Sequence, residues 1–328
     1  MSAPSQISIF PATSASATRL AELLQQQHPD IRLRLAARSP DKLQASGANV
    51  IVSQTPLDIA NVASIKDALE GSQAAYILNP PFYGEKDPFA LSQIWVDSIT
   101  AAANASSTLS KIVYLSSVGA EKTSGTGPIR NTHIAEQGFL AKLRDGIELY
   151  ALRPPYFLSN LKTVLPLAVN PPHILPSMLI PFDKAYQFID AHTIAATALK
   201  YLLASHSSSQ EIVNKGHIAA VQIVTPRKTI PEIAQYVSEI TGTQVNPVPV
   251  PQEEWFNTFK KAGMFDEQAN LFVEMSTGQF TGYIDTIRDE AAIAQEKERG
   301  VVLITEHADV DYKAALKLII DSLAQSAN

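Results

Sequence analysis

Arg38, Ser39 and Lys42 stand close together in the run Ala37-Arg38-Ser39-Pro40-Asp41-Lys42. A guanidinium grips a phosphate through two parallel N–H bonds, and the hydroxyl and ammonium beside it supply further donors. The competing reading is a solvated arginine at the end of a strand. A second group with chemical potential is Ser116 and Ser117, closing the apolar run "KIVYLSS", followed by His133 in "RNTHIAEQGFL". An imidazole with an unperturbed pKa of about 6.5 can relay a proton or hydrogen-bond a ligand, although a lone helical histidine is often structural. His133 and Ser116 are therefore the catalytic candidates.

The stretch "ISIFPATSASATRLAELL" reads as an apolar strand, a small-residue turn and an amphipathic helix, with Ala17, Leu20, Ala21 and Leu24 on the inner face. This is where a phosphate-cradling loop carries its glycines, and none is present. Thr13, Ser14, Ala15 and Ser16 occupy the turn, and a positive φ at Ser14 would cost about 1 kcal/mol or more. A helix N-terminus still favours an anion without glycine, because its first N–H groups are free. Ser14 or Ser16 as a plain N-cap is the alternative.

The elements that position these groups alternate. Strands are expected at Ile7 to Phe10, Ile31 to Ala37, Val50 to Ser53, Ala74 to Leu78, Lys111 to Ser117 and Glu148 to Arg153. Helical patterns lie between them, at Val62 to Leu69, Leu91 to Ala103 and Thr132 to Leu143. Such alternation means an α/β fold, a doubly wound parallel sheet of Rossmann type. Ligands in these sheets sit beyond the carboxyl ends of the strands. That rule selects Asp58, Asn79, Pro80, Pro81, Pro155, Tyr156 and Phe157 in addition to the groups above.

Residues 1–155 are expected to form this core, and residues 156–328 a smaller substrate lobe with a helical tail, some segments returning to the core. Asp190 reads as a cap for a helix from Ala191, and Gly242 as the stop of "IPEIAQYVSEITG". The tail "VVLITEHADVDYKAALKLIIDSLAQ" reads as a further helix with an apolar face.

The chain has 328 residues, 45% hydrophobic and 18% charged, which is a globular composition with room for a large core. No apolar run reaches the roughly 18 to 20 residues of a membrane span, and "MSAPSQ" lacks the features of a signal peptide. A net charge of -6 argues against nucleic acid as a partner and for a small molecule. With no cysteine there is no thiolate chemistry, and the histidines show no metal-ligand spacing, so no metal is expected. The expectation is a cytoplasmic monomer or homodimer.

Taken in order, "ISIFPATSASATRLAELL", "IRLRLAARSPDKL", "PLDIANVASIKDALEGSQAAYILNPP", "KIVYLSSVGAE", "ELYALRPPYFLSNL" and "YQFIDAHTIAATAL" resemble the NmrA-like branch of the atypical short-chain dehydrogenase/reductases. The resemblance implies NADP(H) as cofactor, with Arg38, Ser39 and Lys42 at its 2′-phosphate and Thr13 to Ser16 at its pyrophosphate. It places Asp58 near the adenine, with a plain turn cap as the alternative, and Asn79, Pro80 and Pro81 along the path to the nicotinamide, which His133 faces; Ser117, Pro155 and Tyr156, at further strand ends, are expected among the cofactor contacts. Phe157 by its place after a strand, and Tyr83 and Trp255 as part of an aromatic set whose members are each alternatively core, are the expected substrate contacts. The Tyr-x-x-x-Lys pair of orthodox short-chain dehydrogenases is missing. The implied function is NADPH-dependent reduction of a carbonyl or conjugated double bond in a small aromatic metabolite, with a cofactor-independent isomerase, cyclase or dehydratase and an NADP-sensing regulator as alternatives.

Overall fold

The computed structural model describes residues 3–43, 47–80, 82, 84–204, 218–286 and 290–326, so Pro81 and Tyr83 lie outside the described residues. Apolar runs form β1 Gln6–Phe10, β2 Arg32–Leu35, β3 Val50–Val52, β4 Ala74–Leu78, β5 Lys111–Leu115 and β6 Glu148–Arg153. These strands are all parallel, in the spatial order 3-2-1-4-5-6 of a dinucleotide fold. Outside the sheet lie β7 Tyr156–Phe157, β8 Ile174–Ser177 and β9 Tyr186–Ile189. β10 Ile218–Val224 returns to it beside β6, β11 Arg227–Lys228 and β12 Asn246–Pro249 leave it again, and β13 Val301–His307 forms its far edge.

Both faces of the sheet are covered, as its nearly continuous apolar strands require. Successive side chains point to opposite faces. Ile7 and Ile9 pack with Ala17, Leu20 and Leu24 of α1 (Ala15–Gln27), and the expected inner face of that helix is fully buried. Phe10, Ala75 and Ile77 face the other way, onto α2 (Val62–Leu69), α3 (Pro88–Ala105) and α4 (Arg130–Lys142). The smaller lobe has its own core. Leu158, Leu165 in α5 (Leu165–Val169), Leu175, Phe188, Ile233 and Leu316 meet there.

Asp190 caps α6 (Ala191–Leu203) by accepting the Thr193 N–H at 2.8 Å, and Gly242 ends the helix Ile230–Thr241 at φ 70°. Two readings need correction. β2 stops at Leu35, because the carbonyls of Ala36 and Ala37 accept from Ala12 and Leu57 in the flanking loops instead of from a neighbouring strand. "VVLITEH" is a strand and not part of a helix. Its β-branched residues pair with β10 along seven positions, from Val301 to His307, and the tail helix starts only at Tyr312.

Candidate active site

Strand order reverses between β1 and β4, which opens a crevice at their carboxyl ends. The turn after β1 builds one wall. Ala12 donates its N–H to the Ala36 carbonyl at 2.8 Å, and Ser14 adopts φ -74°, ψ 152° with its Oγ accepting from Ala17 N at 3.2 Å. The glycine-free sequence thus carries no left-handed residue in this turn and no strain of that kind. The methyl of Ala17 is fully buried, so the strand-to-helix contact accommodates it. Ser16 reaches beneath the turn, its Oγ 2.9 Å from the hydroxyl of Tyr76. Ala15 and Ser16 begin the first helical turn, where amide N–H groups have no intrahelical acceptor.

The side chains of Arg38 and Lys42 are exposed on the next loop, with Ser39 between them half-buried. Among the described residues the Arg38 guanidinium has no ion pair or hydrogen bond. The inward-facing Arg34 behaves differently: it binds Asp67 at 2.7 Å and Glu70 at 3.1 Å. Exposed Asp58 accepts the Ala60 N–H at 2.9 Å, capping its own turn. At the end of β4, Asn79 Nδ2 donates to Ser92 Oγ at 3.2 Å and to the Asn131 carbonyl at 3.3 Å, tying the crevice to the start of α4. Pro80 follows it, half-buried.

The ends of β5 and β6 hold a buried charge cluster that sequence reasoning missed. Arg153 is 1% exposed and lies against Glu136 on α4, with Nε at 2.9 Å from Oε1. Its Nη1 meets Glu296 at 2.7 Å and Glu121 at 3.7 Å. Burial alone would lower the guanidinium's pKa, but Glu136, then Glu296 and Glu121, outweigh burial and raise it. Ser116 belongs to this cluster: it is 3% exposed and donates to Glu136 Oε1 at 2.6 Å. Its hydroxyl is thus turned into the protein. Ser117, half-buried beside it, donates to the neighbouring Val118 carbonyl at 3.0 Å. His133 is half-buried, with Nδ1 2.8 Å from the Ala120 carbonyl. A carbonyl only accepts, so the neutral ring carries its proton on Nδ1 and presents Nε2 as an acceptor.

Beyond these strand ends lies a cavity of about 40 Å³, room for a few waters, between the sheet and the smaller lobe. Val118, Tyr156, Leu179, Gln187, Arg227 and Asp285 line it. Burial pushes the Tyr156 phenol up to about 12, against the pull of an Asn160 hydrogen bond, so it stays protonated as a donor at neutral pH. Arg227 binds Asp285 at 2.5 Å and the Ala185 carbonyl at 3.1 Å. The segment carrying Asp285 follows the helix Asp266–Thr281, which crosses the loop after β5 at Gly127. A Cβ there would lie 1.9 Å from the Leu271 carbonyl oxygen, so only glycine permits the crossing.

Phe157 packs half-buried on the sheet core. Trp255, expected at the substrate, is instead a core residue of the lobe: it is 1% exposed, donates Nε1–H to the Val250 carbonyl at 2.8 Å and packs edge-on to Phe280. The wall residues Gln187, Arg227 and Asp285 were not singled out in the sequence. A lone glutamine inside the apolar "YQFI" was the available signal.

Solved structures share this arrangement over nearly the whole chain. The chain is 18% identical to an NADPH-dependent quinone oxidoreductase of Escherichia coli in complex with NADPH, covering 98% of this chain and 100% of that one with a TM-score of 0.65. Against a Citrobacter sp. triphenylmethane reductase in complex with NADP(H), the identity is again 18%, the coverage 96% and 99%, and the TM-score 0.68. The chain shares the Rossmann-type α/β fold of these proteins. A mutant NmrA bearing two changes to glycine aligns at 15% identity over 89% and 90% of the chains, with a TM-score of 0.61. No protein-family model and no curated protein matches the sequence. Among the described residues no helix is long and apolar enough to cross a membrane.

Proposed function

We propose that this protein is an NADPH-dependent reductase of a carbonyl or conjugated double bond in a small, aromatic metabolite. The observation that carries the reading is Arg38: an exposed cation with no partner among the described residues, three positions past the end of β2 and beside the crevice where the strand order reverses. The likeness to two reductases crystallised with NADP(H) supports it at the level of fold. The residues present fit this cofactor. Arg38, Ser39 and Lys42 supply donors for a 2′-phosphate, and the open N–H groups at the start of α1 suit the pyrophosphate.

When bound, the cofactor supplies hydride at its nicotinamide. The chain supplies position and a proton. Tyr156, held neutral, donates a hydrogen bond to the substrate oxygen from the cavity wall. His133 in its imidazolium form gives its Nε2 proton to the reduced oxygen and is left as the Nδ1–H tautomer that the Ala120 carbonyl accepts from. Ser117, Asn79, Pro80 and Pro155 form the crevice wall, and Asp58 flanks the adenine end. Ser116 is left a supporting role through Glu136.

Calorimetry with NADP(H) and NAD(H) tests the reading, and Arg38→Ala should weaken NADPH at least tenfold while changing NADH little. Equal losses for both cofactors, or no heat at millimolar NADPH, would sink it. A second reading, cofactor sensing without turnover, is favoured by the inward-turned Ser116 and the likeness to NmrA. It predicts NADPH binding with no reduction of quinones or aromatic ketones.

A further inference from the structure

Gln187 sits on β9 opposite Arg227 of β11 and lines the cavity beside Tyr156. It is 9% exposed, and its Oε1 is buried with no hydrogen-bond partner. Among the described residues its amide nitrogen has no partner either. Buried polar groups in native proteins are nearly always matched, and one left unmatched inside a cavity marks a place reserved for a ligand or water. The neighbouring charges do not meet this need, since Arg227 is already held by Asp285 and the Ala185 carbonyl.

We infer that Gln187 reads a hydrogen-bond donor on the substrate, so that the preferred compound carries a hydroxyl or N–H group apart from its reducible carbonyl. The inference rests on the reading that this cavity receives substrate. A cavity of about 40 Å³ admits a hydroxyl-sized group but not an aromatic ring, so only the polar end of such a substrate would enter it. Oε1 accepts a hydrogen bond from that group, and where it is a hydroxyl the amide N–H₂ can donate to its oxygen in return.

The test compares 4-hydroxyacetophenone with 4-methylacetophenone, which have the same shape and carbonyl and differ in one hydroxyl. Binding is measured by calorimetry or ligand-observed NMR, with and without NADPH, on the full chain and on Gln187→Leu. The hydroxyl compound should bind the parent roughly tenfold more tightly, and the preference should fall within about twofold in the variant. The variant should melt no lower than the parent, because it removes an unmatched buried amide. A preference absent in the parent, one unchanged in Gln187→Leu, or no binding of either compound overturns the inference. Failure of NADPH to bind counts against the reductase reading alone, since the two ketones are compared without cofactor as well.

Discussion

Ser116 donates its hydroxyl to Glu136 across 2.6 Å, and that same carboxylate carries Arg153. The serine at the end of β5 therefore tunes a buried ion pair. Ser116→Ala should cost about 1.5 to 3 kcal/mol in urea denaturation, the range for a hydrogen bond to a charged group, with NADPH affinity unchanged. Glu136→Gln, which strips Arg153 of its closest carboxylate, should cost about 3 kcal/mol or more. A large fall in cofactor affinity with intact stability would return Ser116 to the site.

The turn after β1 stands on the Ser14 cap. Ser14→Ala should destabilise by about 1 kcal/mol and Ser14→Gly by only a few tenths, because glycine at an N-cap leaves the helix N–H groups accessible to water. Thermal denaturation of the two variants checks the order. If glycine proves the more damaging, the extended φ of -74° matters more than the cap.

Tyr156 should resist ionisation. Its pKa, raised to about 12 by burial, makes its contribution to stability complete below the usual tyrosine value of 10.0 and lost as pH rises toward the folded value. A difference titration at the phenolate absorbance band between the parent and Tyr156→Phe should show this phenol ionising near 12. Ionisation near 10 would mean that the ring is solvated.

Asp67 should govern part of the acid limb. Burial pushes its carboxyl up, but the Ser53 hydrogen bond and the Arg34 guanidinium outweigh that and hold it below 3.8. A depressed folded pKa gives stability that is full above the unfolded value and lost as pH falls through the folded one. Stability of the parent should drop below pH 3.8 more steeply than that of Asp67→Asn, as followed by urea midpoints from pH 5 to 2.

The tautomer of His133 is open to ¹⁵N NMR. With Nδ1 at 2.8 Å from the Ala120 carbonyl, the neutral ring should give the shifts of protonated Nδ1 and bare Nε2. The opposite pattern would remove the proton-transfer role proposed for this residue.

β1 to β6 were legible because most of them are apolar runs buried on both faces, and two helix ends because Asp190 and Gly242 announce themselves chemically; β10, though equally apolar, was not singled out. β13 was not, since "VVLITEH" shows no helix-breaking residue and strand pairing with β10 is a long-range event. The proposed cofactor side rests on Arg38, a cation that the sequence already marks by its place just after a strand. The cavity side did not, because Gln187, Arg227 and Asp285 come from three separate segments and acquire meaning only when the fold brings them together. Trp255 misled for the same reason: an aromatic residue names neither the core nor the pocket.

The far edge of the sheet has a consequence for biosynthesis. β10 and β13 are roughly 80 residues apart in the chain, yet they are direct neighbours. At a synthesis rate of about 5 to 20 residues per second, the open side of β10 waits roughly 4 to 16 seconds for its partner to leave the ribosome. During that interval a seven-residue ladder of unmatched N–H and C=O groups is available to another nascent chain, and chaperones that shield strand edges have their moment of greatest use.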